Sequence, residues 1–109
     1  MCRQGLVRSV SLANVLKMYF EPVDVLPVGH ASNSRETLNM LFEWADSIIV
    51  LEAHYLAHIP AEFSHKAVVC EVGHDNYHNS RHRQLIDMCW NWARLNSKTL
   101  GIAEHSREV

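Results

Sequence analysis

The sequence predicts an α/β fold, a parallel sheet with helices on both faces, and three observations carry that expectation. Helical and strand-like segments alternate along the 109 residues in the order α, β, α, β, α, β, α, and such alternation belongs to parallel sheets wrapped by helices. The apolar runs "SIIVLE" (47–52) and "KAVVCEVG" (66–73) have the near-continuous character of strands buried on both faces. The segments 9–20, 31–45 and 81–95 each repeat apolar residues at helical spacing.

Taken in order, "SVSLANVLKMYF" sets Leu12, Leu16 and Tyr19 on one helical face with Val15 beside them, and Pro22 stops that helix. "VDVLPVG" (23–29) reads as a short strand, weakened by Pro27. "ASNSRETLNMLFEWA" reads as the second helix, with Asn33 as its cap and Glu36 as the reciprocal partner three residues on. Its apolar face is Leu38, Leu41, Phe42 and Ala45. The run 47–52 is a strand, and "AHYLAHIPAEF" a short helix broken near Pro60. Residues 66–73 form the third strand and "HDNYHNS" a polar loop. The last helix, 81–95, carries Leu85, Met88, Cys89, Trp92 and Leu95 at helical spacing. The pattern is lost after Asn96, so residues 1–96 are expected to form the domain and 97–109 a flexible tail.

A chain with 48% hydrophobic and 20% charged residues fits one globular domain with a modest core. A formal net charge of −2 gives no electrostatic case for a nucleic-acid partner. Eight histidines make that charge sensitive to pH near 6.5. With no apolar run long enough to span a membrane and no signal-peptide pattern, a cytoplasmic protein without a membrane partner is expected. Three cysteines without framework spacing agree with a reducing compartment, and Cys70 and Cys89 read as buried core thiols.

The stretch "CRQGLVRS" (2–9) immediately precedes the first helical pattern. Unpaired N–H groups and the positive end of the helix dipole make such a place an anion site. Arg8 can grip two phosphate oxygens in a fork. The same field lowers the pKa of a cysteine beneath the loop, here Cys2, and a thiolate can attack phosphorus. Gly5 suits a tight loop, and the Ser9 hydroxyl can hydrogen-bond the sulfur.

This loop resembles the phosphate-binding loop of the low-molecular-weight protein tyrosine phosphatases, in particular a small bacterial and phage branch with C-x-Q-N-x-x-R-S. "LFEWADSIIVLEAHYLAHI" also resembles that branch, and the likeness covers about residues 2–95. It implies a three-layer parallel sheet and hydrolysis of phosphotyrosine or other aryl phosphates through a phosphocysteine, with neither metal nor cofactor. The partner would be a phosphorylated protein or a small aryl phosphate. Cys2 would be the nucleophile and Ser9 its helper. Arg8 would hold the phosphate with the backbone N–H groups of Arg3, Gln4, Gly5, Leu6, Val7 and Arg8. Asp75, with Asn76 where the family has Pro and with Tyr77 close by, would be the general acid. By position alone Asp75 serves equally well as a turn or cap residue. The chain departs from the family pattern at Gly5, which replaces Asn, and at Val10-Ser11-Leu12-Ala13 after the loop. The family also has a central strand ahead of the loop, where this chain has only Met1.

Three other readings compete. His54 with His58, and His74, His78 and His82 near Asp75 and Asp87, have spacings that can bind zinc, but surface histidines are the simpler expectation. Arsenate reductases share this kind of loop but need relay cysteines, a role that buried and separate Cys70 and Cys89 do not fit. A phosphate-binding or interaction remnant without turnover is the remaining alternative. Trp44, Trp90 and Trp92 are expected in the core, Trp90 being partly exposed.

Overall fold

The computed structural model describes residues 1, 7–31, 33–72 and 82–104. Within them the chain folds as an α/β molecule of helices and small sheets: α1 (Arg8–Tyr19), β1 (Phe20–Glu21), α2 (Arg35–Trp44), β2 (Ile48–Val50), β3 (Ala67–Val69), α3 (Arg83–Leu95), α4 (Ser97–Leu100) and β4 (Ala103–Glu104). Two 3-10 segments, Ala53–His58 and Ala61–Lys66, link β2 to β3. The strands form two ladders of two strands each. β2 and β3 are parallel, with Ile48 opposite Ala67 and Val50 opposite Val69. β1 and β4 are antiparallel, with Phe20 opposite Glu104.

Met1 adds one rung to the parallel ladder. Its amino group donates to the Ile49 carbonyl, and its own carbonyl accepts from Leu51 N–H at 3.0 Å. These are the two bonds of a single parallel bridge, with Met1 opposite Val50.

The core lies where α1 packs on α3 and where both meet the parallel ladder. Leu12, Val15 and Leu16 of α1, Leu85, Cys89 and Ala93 of α3, and Val50, Leu51, Cys70 and Val72 beside the ladder are all buried. Cys70 and Cys89 are both free thiols within it. Three side chains make longer-range bonds between these elements. Trp92 Nε1–H donates to Val69 O at 3.1 Å, joining α3 to β3. Lys66 Nζ reaches the Phe42 and Glu43 carbonyls at 3.1 and 3.2 Å, closing the C-terminal end of α2 with a cation, as its dipole favours. Arg35 Nη1 donates to His58 O at 2.9 Å at the end of the first 3-10 segment.

Several local expectations are corrected. Of the expected strand 23–29, Gly29 makes a single bridge, and residues 23–28 belong to no ladder among the described residues, where Pro27 cannot donate to one. The cap of α2 is Ser34, whose hydroxyl accepts from Thr37 N–H at 3.2 Å. Asn33 uses its amide to tie down Gly29 O at 2.8 Å. Both segments around Pro60 are 3-10 rather than α-helical, and each is six residues long. The stretch after Asn96, expected to be a flexible tail, carries α4 and β4 as far as Glu104. Gly101, at φ +69°, turns the chain there, with Gly101 N–H on Lys98 O and Ile102 N–H on Ser97 O. Trp44 is 55% exposed rather than in the core, and Leu95 is 86% exposed beyond the last buried turn of α3. Trp90 is half-buried against Tyr19 and Phe20. Among the described residues no helix is long and apolar enough to cross a membrane.

Candidate functional site

The C-terminal end of β2 meets the N-terminus of α1, and a buried arginine sits at the junction. Arg8 opens α1 with 0% of its surface exposed. Its Nη1 lies 3.2 Å from Glu52 Oε1, and its Nη2 donates to the Tyr55 hydroxyl at 3.1 Å. The guanidinium carbon stands 5.9 Å from the Tyr55 ring centre. A buried guanidinium needs an opposite charge and hydrogen-bond acceptors. The turn after β2 supplies both, because Glu52 and Tyr55 stand three residues apart at the start of a 3-10 segment, where that spacing puts them on one side.

The first turn of α1 is arranged as an anion site would be. Val7, which precedes it, has no side-chain group to cap the helix, and the first intrahelical bond runs from Ser11 N–H to Val7 O at 2.9 Å. The leading N–H groups of a 12-residue helix therefore point out of its N-terminal end beside the Arg8 charge. Ser9 is buried, and its hydroxyl donates to Val28 O at 3.5 Å, toward the segment after Pro22.

Around Tyr55 gathers a group of imidazoles. His30 stacks on His58 with centroids 4.1 Å apart and planes 16° from parallel. His30 and His54 lie 5.0 and 4.3 Å from the Tyr55 ring. His54 Nε2 is 3.3 Å from Glu52 Oε2, so Glu52 faces Arg8 with one oxygen and His54 with the other. Burial raises the Tyr55 hydroxyl above its usual 10, while the hydrogen bond from Arg8 and its charge act the other way. Burial also raises both core thiols, Cys89 to about 11 and Cys70 further.

Of the residues expected at the site, Val7, Arg8 and Ser9 come together at the first turn of α1. Cys2, Arg3, Gln4, Gly5, Leu6 and Asp75 lie outside the described residues, as do His74 and His78. His54 and His58 do not share a face, because four residues of 3-10 helix turn a side chain about 120° away. Among the described residues no three His, Cys, Asp or Glu side chains are grouped to hold a metal. Glu52, Tyr55 and His30 were given no role by the sequence. The spacing of Glu52 and Tyr55 was the available signal, but an α-helical reading of 53–63 hides it. No protein-family model, no curated protein and no solved structure matches this chain.

Proposed function

We propose that this protein is a phosphatase of the low-molecular-weight protein tyrosine phosphatase type, acting on phosphotyrosine or another aryl phosphate monoester. The observation that supports it most is Arg8, a wholly buried cation delivered to the N-terminus of α1 and held there by Glu52 and Tyr55. Holding an arginine in this way orders a donor before the anion arrives, which lowers the cost of binding.

In the proposed reaction the Cys2 thiolate attacks phosphorus as the bond to the aryl oxygen breaks, and Asp75 protonates the leaving phenolate. Asp75 then takes a proton from water, the water oxygen attacks the phosphocysteine, and phosphate leaves as the thiolate returns. Ser9 turns its O–H from Val28 O to the sulfur, and Arg8 with the first-turn N–H groups carries the phosphoryl charge. The frame that goes with this reading is a three-layer parallel sheet that includes β2, β3 and the rung at Met1. A cytoplasmic phosphorylated protein or small aryl phosphate is the proposed substrate.

The test is hydrolysis of p-nitrophenyl phosphate by the full chain. We expect Cys2→Ser to abolish turnover and Asp75→Asn to lower kcat by roughly 10²–10⁴, the usual worth of a general acid. A rate unchanged in Cys2→Ser, or no turnover by the parent chain, overturns the enzymatic proposal. Vanadate binding without turnover points instead to a phosphate-binding remnant.

A further inference from the structure

A groove of about 410 Å³ opens between α2 and the second 3-10 segment, and its lining includes none of Arg8, Glu52 and Tyr55. Its α2 wall is Glu36, Asn39, Met40 and Glu43, which at i, i+3, i+4 and i+7 form one face of the helix. Leu38 and Phe42 of the same helix are buried in the core instead. The other wall is Glu62 and Phe63, and the Phe63 ring is backed by Phe42 with centroids 6.0 Å apart. Met40 is 71% exposed. The lining holds three carboxylates and no Lys, Arg or His. Lys66, whose Nζ stands 5.6 Å from the Phe63 ring centre, donates to the carbonyls that end α2. Among the described residues none forms an ion pair with Glu36, Glu43 or Glu62. An apolar seat rimmed by unpaired carboxylates suits an apolar side chain flanked by cations.

The same chain carries such a surface. Asn91, Arg94 and Leu95 are exposed at i, i+3 and i+4 of α3, and Leu95 is 86% exposed. Asn96 N–H bonds Trp92 O and Leu100 N–H bonds Asn96 O, so the helical path runs on and Lys98 of α4 continues the row. The Arg94 guanidinium carbon lies 4.8 Å from the Trp90 ring centre, which holds that cation at the surface. Among the described residues no carboxylate pairs with Arg94 or Lys98. The two rows therefore share one spacing with the charge reversed. Met40 and Leu95 both stay exposed in the single chain, so the rows do not meet within it.

We propose that two copies of this chain associate head to tail, with Leu95 of one copy seated between Met40 and Phe63 of the next and with Arg94 and Lys98 meeting Glu36, Glu43 and Glu62. The contact is heterologous, so each pair of copies keeps one free groove and one free row and can add a further copy. One apolar anchor with an exposed charged rim belongs to the weak, transient class of interface, formed at sub-millimolar concentration.

The test is sedimentation velocity of the full chain over rising concentration. We expect the sedimentation coefficient to climb with concentration and to fall back when salt is raised, because the rim pairs are exposed. Leu95→Asp removes the inserted side chain and Met40→Lys removes its seat, and both positions are exposed, so the fold is kept. Each should weaken association about ten-fold or more. An equimolar mixture of the two variants should associate again, because one supplies an intact groove and the other an intact row. Glu43→Lys should weaken the contact while leaving its apolar side chains in place. Association unchanged in Leu95→Asp, or no recovery on mixing, overturns the proposal. So does a parent chain that stays monomeric throughout, and binding of the acetylated, amidated peptide Arg-Leu-Asn-Ser-Lys by that monomer would give the groove to another protein.

Discussion

Arg8 is the residue on which the site turns, and its partners make it a structural residue as well. Removing one member of a buried ion pair leaves the other charge without its counterion, at a cost of several kcal/mol. Glu52→Gln should therefore lower the unfolding free energy by about 3 kcal/mol, read from denaturant midpoints. Pairing Arg8→Met with Glu52→Met should recover most of that loss, since no charge is then left behind. Equal midpoints for Glu52→Gln and the parent would show that the pair carries no stability. At this scale the sequence named Arg8 and Ser9 from their place before a helix, and Cys70 and Cys89 as core thiols. It did not name Glu52, because a carboxylate after a strand has no local mark showing which cation will meet it.

At the scale of elements, local chemistry decided some boundaries and distant partners decided others. α1, α2 and α3 are legible because their apolar spacing matches the faces they bury. Asn33 and Ser34 are both competent caps; Ser34 takes the role by accepting from Thr37 N–H, and Asn33 Nδ2 donates to Gly29 O. The pairing of β1 with β4 was beyond reach, since two-residue strands leave no periodicity and their partners are some 80 residues apart in sequence. Gly101 is the hinge that returns β4 to β1. A Cβ at that position would meet no atom within 4 Å, so the left-handed backbone alone sets the cost of adding one. Gly101→Ala should destabilise the protein by about 1 kcal/mol. Amide exchange at Ala103 and Glu104 should quicken while α3 stays protected. Unchanged exchange there would mean that the turn does not hold the ladder.

For the molecule as a whole, the buried thiols link stability to alkaline pH. Burial raises Cys89 from 9.0 to about 11 and Cys70 further, so the folded chain keeps both protons where the unfolded chain loses them. Above about pH 9 the unfolded state binds fewer protons, and stability must fall as pH rises. Each thiol contributes a slope of about 1.4 kcal/mol per pH unit until its folded pKa is reached, near 11 for Cys89. Urea midpoints between pH 8 and 10.5 should show this, and Cys89→Ala should remove part of the slope. A flat profile in the parent would place the thiols in contact with water.

The sequence by itself determined the α/β class, the three long helices, the two parallel strands β2 and β3, and the position of Arg8 and Ser9 at a helix start. Those features follow from spacing and composition within a dozen residues. The tertiary structure decided that Glu52 and Tyr55 hold Arg8, that Met1 pairs with β2, that Trp44 faces outward, and that residues 97–104 return to β1. Each of those depends on which distant surfaces meet, and burial and charge are balanced only when the layers close on one another.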